Sequence, residues 1–418
     1  MTVTEQSAPV AAPEAGGWQG DIAVIGAGIV GLAVAREWLQ RYPNHRLIVL
    51  EKEDEIGKHQ TGHNSGVIHS GIYYKPGSMK AKACVAGAAK LMRYCDEHGI
   101  PYRLCGKMII ATEREELPRL HDLYERGKAN SVPELRLIGA EELREIEPHA
   151  VGIEAIWSPR TGIVDFSQVA AAYAADVRAS GGEIRTGNEV LSIERRASST
   201  LVTTTAGEYE VRQVVSCAGL WADRVASLTG APPDPVIVPF RGDYFTLPPD
   251  RRHLVQTNIY PVPDPRYPFL GVHLTPRMNG EVWLGPNAVL AFGRQGYRLH
   301  HVDLGDLSEI VTNRGFLKFA TRHWRTGFEE MRRDLSRRRF LTSLQKFIPE
   351  LTLSDLHPGP SGVRAQALSA DGELVDDFVY SRDDGVLHVR NAPSPAATSS
   401  LEIASTIADE LQQLIGET

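Results

Sequence analysis

The stretch Asp21 to Glu53, "DIAVIGAGIVGLAVAREWLQRYPNHRLIVLEKE", leaves this chain few ways to begin folding. Ile22 to Ile25 is a short apolar run that reads as a buried strand. Gly26, Gly28 and Gly31 follow in GxGxxG spacing, then a helical pattern with apolar Ile29, Leu32, Ala33, Ala35 and Leu39. A second apolar strand, Leu47 to Leu50, ends in Glu51. The order is strand, glycine turn, helix, strand, acid. Such glycines permit a tight turn and close backbone approach to a pyrophosphate, and the helix N-terminus supplies N–H donors and partial positive charge. Glu51, about 20 residues beyond the last glycine, can accept both ribose hydroxyls. An acid at this strand end favours FAD or NAD over NADP, whose extra phosphate it would repel.

The far end of the chain bears on that choice. "GVLHVRNAPSPAATSSLEIASTIADELQQLIGE" runs from a strand through a Pro/Ala/Ser/Thr turn into an amphipathic helix that Thr398, Ser399 or Ser400 can cap. Its N-terminus offers N–H groups to a second anionic site. The edge of a flavin, which gains negative charge on reduction, is such a site. This feature favours FAD over NAD.

With 418 residues, 42 % hydrophobic and 23 % charged, the chain suits two domains or one large two-lobed one. A net charge of −7 argues against nucleic acid as a partner. Cys84, Cys95, Cys105 and Cys217 show no CxxC pairing, which fits a reducing compartment. No apolar run reaches the roughly 18–20 residues of a spanning helix. Residues 1–20 lack a basic start and an apolar stretch, so they read as a disordered tail and not as a signal peptide. The expectation is a cytoplasmic protein, with peripheral contact on the inner face of the cell membrane left open. No metal-ligand spacing and no GxSxG elbow are present, and no metal is expected.

Longer motifs carry a resemblance. The opening unit, "GHNSGVIHSGIYYKPGS", "VVSCAGLWADRVA", "PFRGDYF", "GVHLTPRMNGEVWLGPNAVLAF", "GPSGVRAQ" with "DGELVDDF", and "NAPSPAATSSL" are similar to the L-2-hydroxyglutarate oxidase/dehydrogenase family, within the D-amino-acid-oxidase-like FAD enzymes. The resemblance runs over nearly everything from Asp21 onward. It implies an α/β fold with a discontinuous Rossmann-like FAD-binding domain (21–96, 156–235 and 355–418). A second, α+β substrate domain with a largely antiparallel sheet (97–155 and 236–354) roofs the flavin. It implies oxidation of L-2-hydroxyglutarate to 2-oxoglutarate by hydride transfer to flavin N5. It further implies that Gly26, Gly28, Gly31, Glu51 and Lys52 hold the ADP half, that Val190 meets the adenine, and that Ala218, Gly219 and Trp221 line the return strand. The 391–398 turn, with Pro393, Ser394, Ala396, Ala397 and Thr398, covers the flavin's pyrimidine edge.

In that fold the loop after the second strand runs beneath the flavin ring. Gly62, Ser65, Gly66 and Gly71 let the backbone approach, Asn64 and Ser65 can donate to the cofactor, and His63 and His69 lie near the ring. Tyr73, Tyr74 and Lys75 reach toward the second domain. Relatives that attach FAD covalently through a histidine in this loop draw notice to His63, but non-covalent FAD is the expectation.

A base must take the hydroxyl proton, and histidine has a suitable reference pKa. His273 sits on an alternating pattern that can point it into the cavity; it is the first candidate and His69 the second. A dicarboxylate substrate asks for at least one Arg, with candidates Arg241, Arg277 and Arg364, and with Lys107 and Tyr260 beside them. The electron acceptor is a quinone, oxygen or a carrier protein. Residues 314–348 mix Phe316, Phe319, Trp324, Phe328 and Phe340 with many arginines, a composition that suits peripheral docking on anionic lipid. It equally suits a helical insertion that packs its apolar face inward. Two further readings stay open: a related FAD enzyme for a D-amino acid or glycerol 3-phosphate, and a non-catalytic flavoprotein.

Overall fold

The computed structural model describes residues 17–265, 270–298, 301–323, 336–383 and 385–416. Its first sheet grows from the opening unit. Strands β1 (Trp18–Ile25), β2 (Leu47–Leu50) and β9 (Glu183–Arg185) run parallel, with helix α1 (Ile29–Arg41) joining the first two. On the other side of β1 lies β12 (Gly207–Ser216), also parallel, and its far edge is shared. Its first half pairs antiparallel with β11 (Thr200–Thr204), which pairs with β10 (Val190–Arg195). Val214 to Ser216 pair parallel with β20 (Val386–Asn391), which carries the antiparallel β19 (Val379–Asp383). Ile22 to Val24, Leu47 to Leu50 and Val214 to Val215 are at most 1 % exposed, so this sheet is covered on both faces. The two segments 165–216 and 379–416 thus return to the unit that Asp21 begins, and the expected discontinuous domain is present.

The second sheet is the roof. It comprises β5 (Lys107–Ala111), β6 (Arg136–Gly139), β7 (Glu154–Ser158), β13 (Val236–Thr246), β14 (Asn258–Pro261), β15 (His273–Pro276), β16 (Val282–Gly285), β17 (Val289–Leu290) and β18 (His357–Leu368). Every pairing is antiparallel except β14 with β5. A small third sheet of β3 (Val67–Ile68), β4 (Tyr102–Arg103) and β8 (Gly162–Val164) lies where the chain passes between the two.

Sheet membership corrects three expected boundaries. The tail does not extend to residue 20, because β1 starts at Trp18, whose Nε1 donates to Glu183 at 2.6 Å. The crossing expected at 156 comes after Ser158, since β7 belongs wholly to the roof. The crossing expected at 355 comes after Leu368, since β18 pairs along the length of β13. Turns were legible in the sequence, but strand partners were not.

The described part of 314–348 turns its rings inward. Phe316 and Phe319 pack with Val238 and Phe240, and Phe340, Leu341 and Leu344 join the core under the roof. Trp324, Arg325, Phe328, Arg332 and Arg333 lie outside the described residues. Among the described residues no helix is long and apolar enough to cross a membrane.

One buried carboxylate fixes the approach to β14. Glu147 is 0 % exposed and accepts from Gln256 N, Thr257 N (2.7 Å) and Thr257 Oγ1 (2.8 Å), just before the strand that carries Tyr260. Burial raises its pKa against the pull of these donors. Replacing Glu147 by Ala strands those donors, so we expect a loss of about 2–4 kcal/mol, read as a lower midpoint in denaturant unfolding.

Candidate functional site

Two groups of residues meet along the loop 57–74. The first is a cleft at the C-terminal ends of the parallel strands, the usual position for a ligand in such a sheet. It is lined by Gly26, Gly28, Glu51, Lys52, Gln60, Thr61, Val190, Ala218, Gly219 and Trp221 among others. Gly26 has φ +100, and a Cβ there would meet Cys217 O at 2.6 Å; a Cβ on Gly31 would meet Gly26 O at 2.0 Å. These two glycines let α1 start tight against the sheet. Gly28 differs: a Cβ there meets only Thr61 Oγ1, at 3.5 Å, and the residue opens on the cleft. It therefore leaves room for a phosphate to approach the backbone.

Glu51 is buried. Its Oε2 accepts from Ala27 N (2.7 Å) and its Oε1 from Glu53 N (3.0 Å), so the acid braces the glycine turn. Each oxygen keeps a lone pair for a further donor, such as a ribose hydroxyl. Lys52 is ion-paired with Glu53, and its Nζ lies 3.8 Å from the Trp221 ring centroid. The open glycine, the helix N-terminus and the acid at the strand end together fit a dinucleotide.

The second group is walled by the roof. His273 is 5 % exposed and stacks on Tyr260, with ring centroids 4.1 Å apart at 16°. Its Nδ1 lies 3.1 Å from Gly271 O. A carbonyl only accepts, so Nδ1 carries the proton and Nε2 keeps its lone pair. Burial, with help from the nearby Arg364 and Lys107 charges, pushes His273 down to about 3. His69 is lowered well below the ordinary value by burial first, then by Lys107 and His273. Lys107 is 1 % exposed, with Nζ 4.0 Å from the Tyr260 ring centroid and 5.3 Å from that of Tyr73. Burial lowers it to about 8. Burying an unpaired ammonium costs several kcal/mol, and a cation–π contact returns only about 2.

The loop itself is pinned from many directions. Thr61 Oγ1 accepts from Ile29 N at 3.0 Å. His63 Nδ1 faces Ser361 O at 2.9 Å and its ring stacks on Tyr297 at 4.2 Å. His69 N donates to Thr398 Oγ1 at 3.1 Å, and Thr398 Oγ1 lies 3.3 Å from Val67 O. Asn64 serves the loop: Nδ2 donates to Gln60 O and Thr61 O, and Oδ1 accepts from Gly66 N. Ser65 is half-buried beside it, and Gly66 has φ +72 against Arg277.

The cationic candidates separate here. Arg364 acts on His273, Tyr260 and Tyr244 together. Arg241 is buried and pairs with Asp243 at 3.0 Å. Arg277 donates to Asn64 O at 3.1 Å and lies over the Trp283 ring at 4.0 Å, bracing the loop. The C-terminal hydroxyls also differ from expectation. Thr398 ties to the loop and Ser400 to Tyr173 OH at 3.2 Å, while Ser399 Oγ is buried without a partner among the described residues. Pro393, Ser394, Ala396 and Ala397 form the turn before the helix Ser400–Gly416, and Tyr74 hydrogen-bonds Ser394.

Sequence reasoning missed Tyr297 and His59. Tyr297 stacks between the rings of His59 and His63, and its OH lies 3.1 Å from His59 Nδ1. His59 also meets Glu53 at 2.9 Å. A lone tyrosine in a glycine-rich roof loop gives no signal of its own; only the fold sets it on the loop.

Comparison with known proteins agrees with this geometry. The family model for FAD-dependent oxidoreductases matches residues 21–410. The chain is 53 % identical over 411 residues to the mitochondrial L-2-hydroxyglutarate dehydrogenase of Homo sapiens, covering 94 % of this chain and 89 % of that one. It is 46 % identical over 389 residues to the L-2-hydroxyglutarate dehydrogenase of Indibacter alkaliphilus, covering 93 % and 98 %. Among solved structures, the FAD-bound L-alpha-glycerophosphate oxidase of Mycoplasma pneumoniae aligns with TM-score 0.76 at 21 % identity over 95 % of each chain. Glycine oxidase of Geobacillus kaustophilus aligns with TM-score 0.70 at 19 % identity, again over 95 % of each. At those identities the structures speak for the fold alone.

The two kinds of glycine give opposite outcomes when filled. Gly28→Val should fold, with an unchanged far-ultraviolet spectrum, but lose most bound flavin on gel filtration. Gly31→Val should fail earlier, as insoluble or strongly destabilised protein, because backbone occupies the space its side chain needs.

Proposed function

This chain belongs to the FAD-dependent oxidoreductase family, and we propose that within it the protein oxidises L-2-hydroxyglutarate to 2-oxoglutarate. The observation that carries this reading is the buried histidine stacked on Tyr260, whose ring also faces the buried Lys107 ammonium, with the Arg364 charge acting on the same histidine. That arrangement suits a substrate with two negative charges. The relatives named L-2-hydroxyglutarate dehydrogenase, at 46 to 53 % identity over at least 93 % of the chain, support the same assignment.

Gly26, Gly28, Gly31, Glu51 and Lys52 hold the adenosine and pyrophosphate portion of FAD, with Val190, Ala218, Gly219 and Trp221 along the cleft. His63, Asn64, Ser65, Gly66 and the 391–398 turn form the floor at its other end. Bound FAD supplies the two-electron acceptor for the oxidation. Arg364 orients a substrate carboxylate by a charge-assisted contact. His273, with Nδ1 held by Gly271 O, presents neutral Nε2 to the hydroxyl and takes its proton as the C2–H bond gives up its electron pair and the carbonyl forms. Burial is the main cause of the low His273 pKa, and the smaller share due to Arg364 and Lys107 is the part a bound dianion offsets. His69, fixed by its backbone to Thr398, lines the same site.

Electrons pass onward to a quinone, oxygen or a carrier protein, and reoxidation rates measured with each in turn identify the acceptor. If a quinone serves, a peripheral contact through 314–348 on the inner face of the cell membrane supports it, and flotation with anionic liposomes tests that contact.

The direct test is an anaerobic visible spectrum before and after substrate. L-2-hydroxyglutarate should bleach the flavin and the D-enantiomer should not; bleaching by neither sinks the assignment. His273→Gln should retain flavin while slowing its reduction about 10²- to 10⁴-fold. The base must be neutral, so activity is lost as pH falls through its pKa. Because that pKa is depressed in the free protein, kcat/KM should stay flat between about pH 5 and 7, without an acid limb near the ordinary histidine value.

A further inference from the structure

We propose that Lys107 is the residue that selects a dicarboxylate, its ammonium taking the carboxylate at the C5 end of the substrate while Arg364 holds the one beside the reacting carbon. The inference rests on the reading of the roof site as the place where L-2-hydroxyglutarate is oxidised, and it assigns each end of that substrate to its own cation.

Lys107 opens a strand in the middle of the second sheet, in register with Asn258 on one side and Ser158 on the other. A lysine is rarely fully buried on the inner face of a sheet, because burying its ammonium is costly. Here the chain runs along the face that also carries Ile109 and Tyr260, and the residue is 1 % exposed. Among the described residues no aspartate or glutamate pairs with it. Several other buried or half-buried cations have partners, Arg390 among them through the carbonyls of Pro232 and Pro235. Arg241 has Asp243, Lys80 has Asp376, Arg294 has Asp223, and Arg277 has the Asn64 carbonyl and the Trp283 ring.

A second group needs the same kind of partner. The Tyr73 hydroxyl is buried and makes no hydrogen bond among the described residues. Its ring is one of the two that face the Lys107 ammonium. The Lys107 ammonium thus lies 5.3 Å from the centre of the ring whose hydroxyl, like it, has no acceptor among the described residues. A carboxylate accepts from both at once. The Tyr260 ring that faces Lys107 at 4.0 Å is the ring on which His273 stacks at 4.1 Å, so Lys107 borders the reacting centre, in keeping with its effect on His69 and His273. A 2-hydroxy acid with only one carboxylate would satisfy Arg364 and His273 and leave the donor pair as it is. The second carboxylate is what such a substrate lacks, and Lys107 is where the difference is felt.

The test compares wild type, Lys107→Met and Lys107→Arg as FAD-loaded proteins, with glutarate and butyrate as unreactive probes in calorimetry. Glutarate should bind Lys107→Met about 10- to 100-fold more weakly than wild type, the loss of one charge-assisted hydrogen bond, while butyrate changes by less than about 3-fold. KM for L-2-hydroxyglutarate should rise in parallel, with flavin reduction at saturation affected less, and Lys107→Arg should recover part of the loss. Retained flavin in each variant shows that the fold is intact. Glutarate binding that is equal in wild type and Lys107→Met, equal weakening of both probes, or no glutarate binding by wild type overturns the inference. Lys107-dependent glutarate binding in a protein that L-2-hydroxyglutarate fails to bleach defeats the proposed reaction instead, and leaves the dicarboxylate site standing.

Discussion

The close approach of α1 to the first sheet is the constraint on which the remainder rests. Gly26, Gly31 and Cys217 meet with no room for another carbon: the Gly26 position abuts Cys217 O, and Gly31 abuts Gly26 O. Because Cys217 directly follows β12 and Gly26 directly follows β1, this contact sets two strand ends and a helix start at one point. The cleft exists because the chain turns away there. Its N–H donors face the cleft because α1 begins there. Glu51 closes the arrangement from the neighbouring strand by accepting from Ala27 N.

From that point the loop 57–74 works as a joint between the two sheets. Ala27 O accepts from Gly57 N, Thr61 accepts from Ile29 N, Gln60 accepts from Ala365 N, and Ser70 joins Ser158 and Thr161 in a buried hydroxyl network. Thr398 receives His69 N from a position more than three hundred residues along the chain (|i−j| 329). These partners come from the glycine turn, the roof and the C-terminal turn. A single loop thus fixes where the roof sits over the cleft, and each tie is a neutral hydrogen bond of modest individual strength.

Charge is then concentrated on the roof side. Many cations among the described residues are ion-paired with carboxylates, whereas Lys107 on the roof side is held by burial and aromatic faces. That environment depresses both histidines and Lys107 in the same direction. On the reading proposed above, an anionic substrate offsets the part of this effect that comes from the neighbouring cations.

The sequence by itself determined the opening unit and the acid at its strand end, because these depend on local period and turn chemistry, while the return of distant segments to one domain came from the family resemblance. His273, Tyr260 and Lys107 were legible as candidates by residue type, and the resemblance at long motifs brought the substrate class into view. Only the tertiary structure showed the partners of two of the candidate arginines: Arg241 is paired to Asp243 and Arg277 braces Asn64. It also decided that β7 and β18 belong to the roof, that Thr398 ties a loop instead of capping a helix, and that Tyr297 stacks between His59 and His63. The reason is physical: strand partners, ion pairs and ring stacks are contacts between residues far apart in the chain, and no local pattern encodes which distant partner will be in reach.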